Sequence, residues 1–144
     1  MVRRVCVFLW LVSCLMLPGC GQGSDLPLVP VSGQVKFAGG PCPLPGTITF
    51  MPRSGSGVSG MPSRPGAATF STDGQFKVTS FHEGDGLLPG IYGVSIACRD
   101  SKYVPGMPNA SDLDHVPQDY RPEELVVKEG SGPIVVNYDV PKKK

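Results

Sequence analysis

The chain has 144 residues, a size that suits one domain, and its 13 basic and 12 acidic side chains give a formal net charge of +1. This balance, without a basic stripe, excludes the electrostatic footprint of a nucleic-acid-binding protein, so we expect no nucleic-acid partner. Glycine (19) and proline (16) are frequent but lie between alternating apolar segments, which indicates the turns of a β protein.

The first 19 residues are organised like a bacterial export signal. Arg3 and Arg4 precede an apolar run over residues 5–17, which is shorter than the roughly 20 residues of a membrane-spanning helix. The segment 17–20 reads Leu-Pro-Gly-Cys and resembles the lipobox of bacterial lipoproteins. We therefore predict a lipoprotein signal peptide over residues 1–19.

The lipobox resemblance implies that Cys20 becomes the mature N-terminus and carries a diacylglyceryl group and an acyl chain. One chain alone anchors a protein only marginally, whereas two or three chains give stable membrane attachment. We therefore expect a cell-envelope protein that is lipid-anchored at the outer membrane or a periplasmic face. The alternative is a soluble secreted protein with an unmodified Cys20.

Cleavage before Cys20 would leave 125 residues with 11 basic and 12 acidic side chains. Residues 20–30 contain Gly, Ser, Asp and two prolines without apolar periodicity, which predicts a flexible lipidated tether. Residues 31–140 form the predicted domain, and 141–144 form a basic tail. Such a tail is usually solvated, and anionic headgroups are its alternative contact.

Alternation of apolar and polar residues predicts seven strands in chain order. They span residues 31–37, 47–50, 68–70, 76–79, 92–98, 125–127 and 134–140. Thr72-Asp73-Gly74 predicts a hairpin turn, because Asp-Gly supplies positive φ. The predicted inward-facing residues include Val31, Val35, Phe37, Ile48, Phe50, Tyr92, Val94, Ile96 and Cys98. A single sheet cannot bury its apolar face alone, so we expect an all-β, seven-stranded antiparallel β-sandwich.

Three segments resemble carboxypeptidase-regulatory-like domains. They are VSGQVKFAGGPCPLPGTITF over residues 31–50, TFSTDGQFKV over 69–78, and LPGIYGV over 88–94. Together with VPQDYR over 116–121, they resemble small planctomycete-type bacterial lipoproteins with this domain, and the likeness covers nearly all of residues 31–140. It implies a transthyretin-like, immunoglobulin-like sandwich that serves as a companion, spacer or binding module.

One transthyretin-like branch is enzymatic and hydrolyses hydroxyisourate with paired His and Arg and a C-terminal Tyr-Arg-Gly-Ser. Here Tyr120-Arg121 is followed by Pro122, and residues 141–144 read Pro-Lys-Lys-Lys. This departure implies that the chain is not an enzyme of that branch. We expect no catalytic residue and no cofactor.

Two loops nevertheless carry the donor types of a metal site, His82-Glu83-Gly84-Asp85 and Asp112-Leu113-Asp114-His115. Carboxylate oxygens suit calcium, and histidine with carboxylates suits zinc. Neither spacing matches an established motif, and solvated loops collect such residues. A metal-dependent or hydrolytic activity in loops 82–85 and 112–115 is therefore our third functional hypothesis.

Other side chains allow both a functional and a structural interpretation. Glu123 and Glu124 are a carboxylate pair, but adjacent residues at a strand start point apart, which favours edge-strand charges. Phe81, Tyr103 and Tyr120 are candidates for a ligand platform or for caps on the core. The sequence contains no nucleophile-elbow pattern, so nothing in it indicates a serine hydrolase.

Five cysteines are present, of which Cys6 and Cys14 lie in the predicted signal and Cys20 in the lipobox. The remaining two, Cys42 and Cys98, are the candidate disulfide of an exported domain. Two free thiols are the alternative, because a sequence does not supply the Cα separation that a bridge requires.

The long connection 99–118 is the predicted determinant of specificity, because loops beyond about 12–15 residues are uncommon unless they are functional or disordered. Our first hypothesis is a non-enzymatic binding or assembly module that contacts an envelope protein or a glycan. The second is a purely structural lipoprotein that spaces or stabilises the envelope.

Overall fold

A computed structural model describes residues 26–53, 57–58 and 61–143; the predicted signal peptide and Cys20 lie outside this range. The described residues form nine strands and one short 3₁₀ turn. These are β1 (Val31–Phe37), β2 (Gly46–Pro52), β3 (Gly57–Val58), β4 (Met61–Pro62), β5 (Gly66–Phe70), β6 (Gln75–Lys77), β7 (Gly90–Ala97), the 3₁₀ turn Ala110–Leu113, β8 (Leu125–Val127) and β9 (Ile134–Val140). All seven predicted strands are present, and the all-β prediction is confirmed.

The strands form two main sheets. One has the order β6-β1-β9, and the other has the order β5-β2-β7-β8. β3 and β4 make a separate two-stranded hairpin inside the Gly/Ser/Pro-rich stretch 53–65, outside the seven strands that the sequence predicts. Within the described part of the chain, no helix is long and apolar enough to cross a membrane.

The first and last strands are parallel neighbours. Their register runs from Val31 opposite Ile134 to Phe37 opposite Val140. The other strand pairs of the described residues are antiparallel. The predicted all-antiparallel arrangement is therefore wrong for β1 and β9. Parallel pairing requires a long connection, and here the rest of the domain supplies it.

Both sheets share one hydrophobic core. Ile48 and Phe50 of β2 are fully buried, as are Val31 and Val35 of β1. The rings of Phe50 and Phe76, which belong to different sheets, have centroids 6.3 Å apart. The predicted inward-facing residues are buried or, for Phe37 and Val94, half-buried against the core.

The register defines two ends of the molecule. At the proximal end, β1 begins, and Val78 donates a hydrogen bond to the Val31 carbonyl. At the distal end, Phe37 lies opposite Val140, and Gly46 begins β2 beside Phe70. The predicted 72–74 turn is confirmed at this distal end, where the Val35 amide donates to Gly74. The connections 37–46 and 70–75 join strands at the distal end, and 97–125 leaves the sheet there. The connections 52–66, 77–90 and 127–134 join strands at the proximal end.

The folded part begins before residue 31, so the predicted tether is shorter than residues 20–30. Val29 is buried and exchanges two backbone hydrogen bonds with Leu87, at 2.8 and 3.0 Å. Pro30 accepts a hydrogen bond from the Ile134 amide. Leu26–Leu28 are half-buried. The attachment comes from residues distant in sequence, which is why local composition does not predict it.

Candidate functional site

The connection 99–118 is a closed loop on the distal end. Arg99 and Asp114 form an antiparallel bridge at its base, and their side chains form an ion pair with Nε and Oδ2 3.1 Å apart. The other oxygen of Asp114, Oδ1, accepts hydrogen bonds from the amides of Cys98 and Val116. The ends of the loop are therefore held together, as in a compact Ω-loop.

The loop is also bonded internally. Asp100 accepts a hydrogen bond from the Lys102 amide at 2.9 Å, and the Met107 amide donates to Val104 at 3.2 Å. Asn109 adopts φ 64°, a left-handed conformation that asparagine tolerates, and leads into the 3₁₀ turn. Successive local turns shape this connection, so it presents a defined surface.

The tip of the loop, residues 103–108, is mainly apolar. Val104 is 58% exposed, Pro105 and Pro108 are exposed, and Met107 is half-buried. Tyr103 is half-buried because the Arg99 guanidinium lies 4.4 Å from the centroid of its ring. The side chain that closes the base thus also supports the tip.

The basic tail contributes to this loop. The Lys143 ammonium donates hydrogen bonds to the Ser111 carbonyl and, at 3.1 Å, to the Asp114 carbonyl. A cation is favourable beside the carbonyls that end a helical turn. Lys143 is exposed, but its ammonium contacts the loop at these two carbonyls, and a run of lysines gives no signal for this contact.

In loop 82–85, the Asp85 carboxylate is hydrogen-bonded to backbone amides. It accepts hydrogen bonds from the amides of Ser80, Phe81 and His82 at 2.8 to 3.0 Å. Partial burial alone would raise the pKa of Asp85, but these hydrogen bonds outweigh it and hold the pKa below its usual value of 3.8. The carboxylate stabilises the loop and is not directed at a ligand.

The second candidate metal loop, 112–115, is similar. Asp114 holds the base of the 99–118 loop, while Asp112 and His115 are exposed. His82 is on the proximal end and His115 near the distal end, so the two loops do not converge. In the described ranges, no three His, Cys, Asp or Glu side chains group as metal ligands would.

The two adjacent glutamates have different neighbours. Glu124 pairs with Arg53 at 2.8 Å, and both side chains are at least half exposed. Glu123 lies near Tyr120 and Tyr138 and contributes to raising their pKa values, after the larger effect of burial. The carboxylates are directed apart, as expected for charges at a strand edge.

The three candidate aromatics are not brought together. Phe81 lies on the proximal side under the Arg64 guanidinium, 4.7 Å from the ring centroid. Tyr103 is in the distal loop, and Tyr120 packs against the core. A common ligand platform of Phe81, Tyr103 and Tyr120 is therefore wrong for this fold.

Cys42 and Cys98 are both free thiols and buried in the structure. Cys42 donates to the Val35 carbonyl at 3.3 Å, and Cys98 donates to the Leu44 carbonyl at 3.4 Å. Burial raises the pKa of Cys42 to about 11, and Cys98 and Asp73 add to the rise. Of the two interpretations that the sequence leaves open, this geometry is that of inert core thiols.

Comparison with protein-family models, with curated proteins and with solved structures finds no match to this chain.

Proposed function

We propose that the protein is a lipid-anchored cell-envelope module whose seven main strands form a transthyretin-like β-sandwich and whose distal loop binds another protein. The single observation that carries this proposal is the loop 99–118, which is closed at its base by Arg99 and Asp114 and exposes an apolar tip. Recognition sites commonly lie on loops that a rigid scaffold holds in position.

The location of the loop supports the same proposal. The chain reaches the sheets from the N-terminal side at the proximal end, and the loop lies at the distal end. With acyl chains on Cys20 in a membrane, the tip at 103–108 would be directed away from the membrane. The domain would then display its recognition loop to other components of the envelope.

The chemistry of the tip favours a protein partner over a glycan. Val104, Pro105 and Pro108 are exposed and offer no hydrogen-bonding side chain. Tyr103, the aromatic ring of this tip, has one face covered by Arg99. Apolar anchors that fill a pocket are typical of protein interfaces.

Photo-crosslinking in cells tests the loop. A photoreactive residue at Val104 is expected to crosslink a discrete envelope protein, whereas the same residue at the exposed proximal position Lys128 is not. Asp114→Asn should lower the crosslinking yield at Val104 about tenfold. Opening the base of the loop would displace the tip, and the loss of a well-placed contact residue reduces the binding free energy by about 1.4 kcal/mol or more. Asp112→Asn in the same loop is the matched control. Equal crosslinking from both positions would favour the purely structural alternative.

The anchor is tested separately by the intact mass of the protein extracted from membranes. The expected mass is that of residues 20–144 plus acyl groups. A mass that retains residues 1–19, or cleavage without lipid, would contradict the anchor and leave the loop proposal to be judged by crosslinking.

A further inference from the structure

The short connection between the predicted lipid site and the folded domain limits where the domain can lie. Val29 is fixed to Leu87, and the described chain starts at Leu26. Only residues 21–25 lie between Cys20 and Leu26, and the six Cα–Cα steps span at most about 20 Å whatever their conformation. If the proposed function holds, the proximal end therefore lies within about 20 Å of the bilayer.

Exposed apolar side chains concentrate at this proximal end. In the described part of the chain, four of the five large exposed apolar side chains are Met51, Ile91, Val126 and Val135, and the fifth is Val104 on the distal tip. Met51 is one residue from the end of β2, and Val135 is the second residue of β9. Val126 lies opposite Ile91 at the start of β7.

The exposure of these side chains is large. Met51 and Val126 are each 52% exposed, and Val135 is 70% exposed. Met51 and Val126 lie on the outer face of the four-stranded sheet and Val135 on the outer face of the three-stranded sheet, so they flank the same end from opposite sides. Isolated surface apolar residues are normal. Here most of the large ones lie at the end of the domain that is next to the lipid connection, which distinguishes this end from the rest of the surface.

We propose that the proximal end of the domain docks on the phospholipid bilayer, with Met51, Val126 and Val135 in contact with the membrane interface. This inference rests on the lipid anchor of the proposed function. The charges near this end are of both signs: Arg53 pairs with Glu124 at 2.8 Å, and the exposed Lys128 lies next to Glu129. Docking therefore does not depend on anionic lipid. Docking fixes the orientation of the domain and holds loop 99–118 away from the membrane.

Single tryptophan probes test the orientation. The only tryptophan of the chain is Trp10, in the segment removed by the predicted cleavage. The lipidated protein carrying Val126→Trp or Val135→Trp is reconstituted in phosphatidylcholine vesicles with brominated acyl chains. Val104→Trp, an exposed valine on the distal tip, is the matched control. Quenching is expected to be at least about fivefold stronger for a proximal probe than for Val104→Trp, and unchanged by high salt.

Vesicle flotation tests the lipid anchor, and tryptophan quenching on the floated vesicles tests the docking of the domain. Flotation with quenching of Val126→Trp or Val135→Trp, and not of Val104→Trp, would support docking. Flotation without proximal quenching, or with equal quenching at Val104→Trp, would overturn docking and leave the anchor intact. Failure of the lipidation-competent full chain to yield a floating protein would overturn both.

Discussion

Two aspartate side chains with several backbone partners each hold one loop in place. Asp85 and Asp114 each satisfy backbone amides that no strand pairs. Both look like metal ligands in the sequence because a carboxylate in a polar loop serves either purpose. The structure assigns them to the loops themselves, and the same chemistry makes their contribution to stability measurable.

Asp85→Asn should destabilise the protein by about 1–3 kcal/mol at pH 7, because an amide replaces a charged acceptor of several backbone N–H groups. The lowered pKa of Asp85 means that the unfolded chain binds the proton more tightly than the folded protein. The contribution is therefore present above the usual value of 3.8 and is lost as the pH falls through the lowered pKa. Urea unfolding at pH 7 and near pH 3 measures both.

Glu83→Gln is the control for this prediction, since Glu83 is exposed in the same loop. It should change the free energy of unfolding by less than about 0.5 kcal/mol. If Glu83→Gln and Asp85→Asn had equal effects at pH 7, the hydrogen bonds of Asp85 would not be the cause.

The two core thiols are expected to be unreactive in the folded protein. Cys42 has a pKa of about 11, so its thiolate is scarce at pH 8, and the side chain is buried. Iodoacetamide at pH 8 should leave the peptides of Cys42 and Cys98 unmodified, whereas alkylation in urea should be complete. Recovery of the two peptides joined by a disulfide would instead establish the bridge that the sequence also allows.

At the scale of elements, the contact of β1 with its two neighbours is the least tolerant of change. Gly33 lies in the middle of β1 and is buried. A Cβ at this position would lie 1.7 Å from the Val136 carbonyl oxygen and 2.9 Å from the Phe76 ring. The backbone of β9 and a core aromatic therefore leave no space for a side chain.

Gly33→Ala should cost about 1–3 kcal/mol or more, since the strands must separate to accept a methyl group. Gly132→Ala is the matched control, because a Cβ there has no neighbouring atom within 4 Å. Chemical denaturation of both variants checks the prediction. If the two variants were equally stable, β9 would move away from β1 at little cost in free energy, and its pairing with β1 would contribute little to stability.

The elements that the sequence predicts well are those determined by local alternation. Seven strands and their inward-facing residues follow from side chains that alternate between core and solvent. The parallel pairing of β1 with β9, the attachment of Val29 to Leu87, and the Arg99–Asp114 base of the loop join residues that are distant in the chain. No local pattern encodes these contacts, so they could not be predicted.

At the scale of the whole molecule, the candidate site also combines a feature that local sequence predicts with features that depend on long-range contacts. The length and proline content of 99–118 predict that this connection is distinctive, and the structure shows it as a closed, exposed loop. Its position opposite the N-terminal side depends on the sheet register, which sequence patterns do not define. The grouping of Met51, Val126 and Val135 at one end has the same origin, since these residues are far apart in the chain.

The parallel pairing of the first and last strands has a consequence for biogenesis. β1 begins at Val31, but one of its two neighbours ends at Val140. A chain that is synthesised from its N-terminus therefore cannot close the three-stranded sheet until β9 has also been made. Until then, Val31 and Val35 have no completed core to enter. We therefore expect late, long-range closure, which slows folding and leaves apolar strands exposed in the nascent chain.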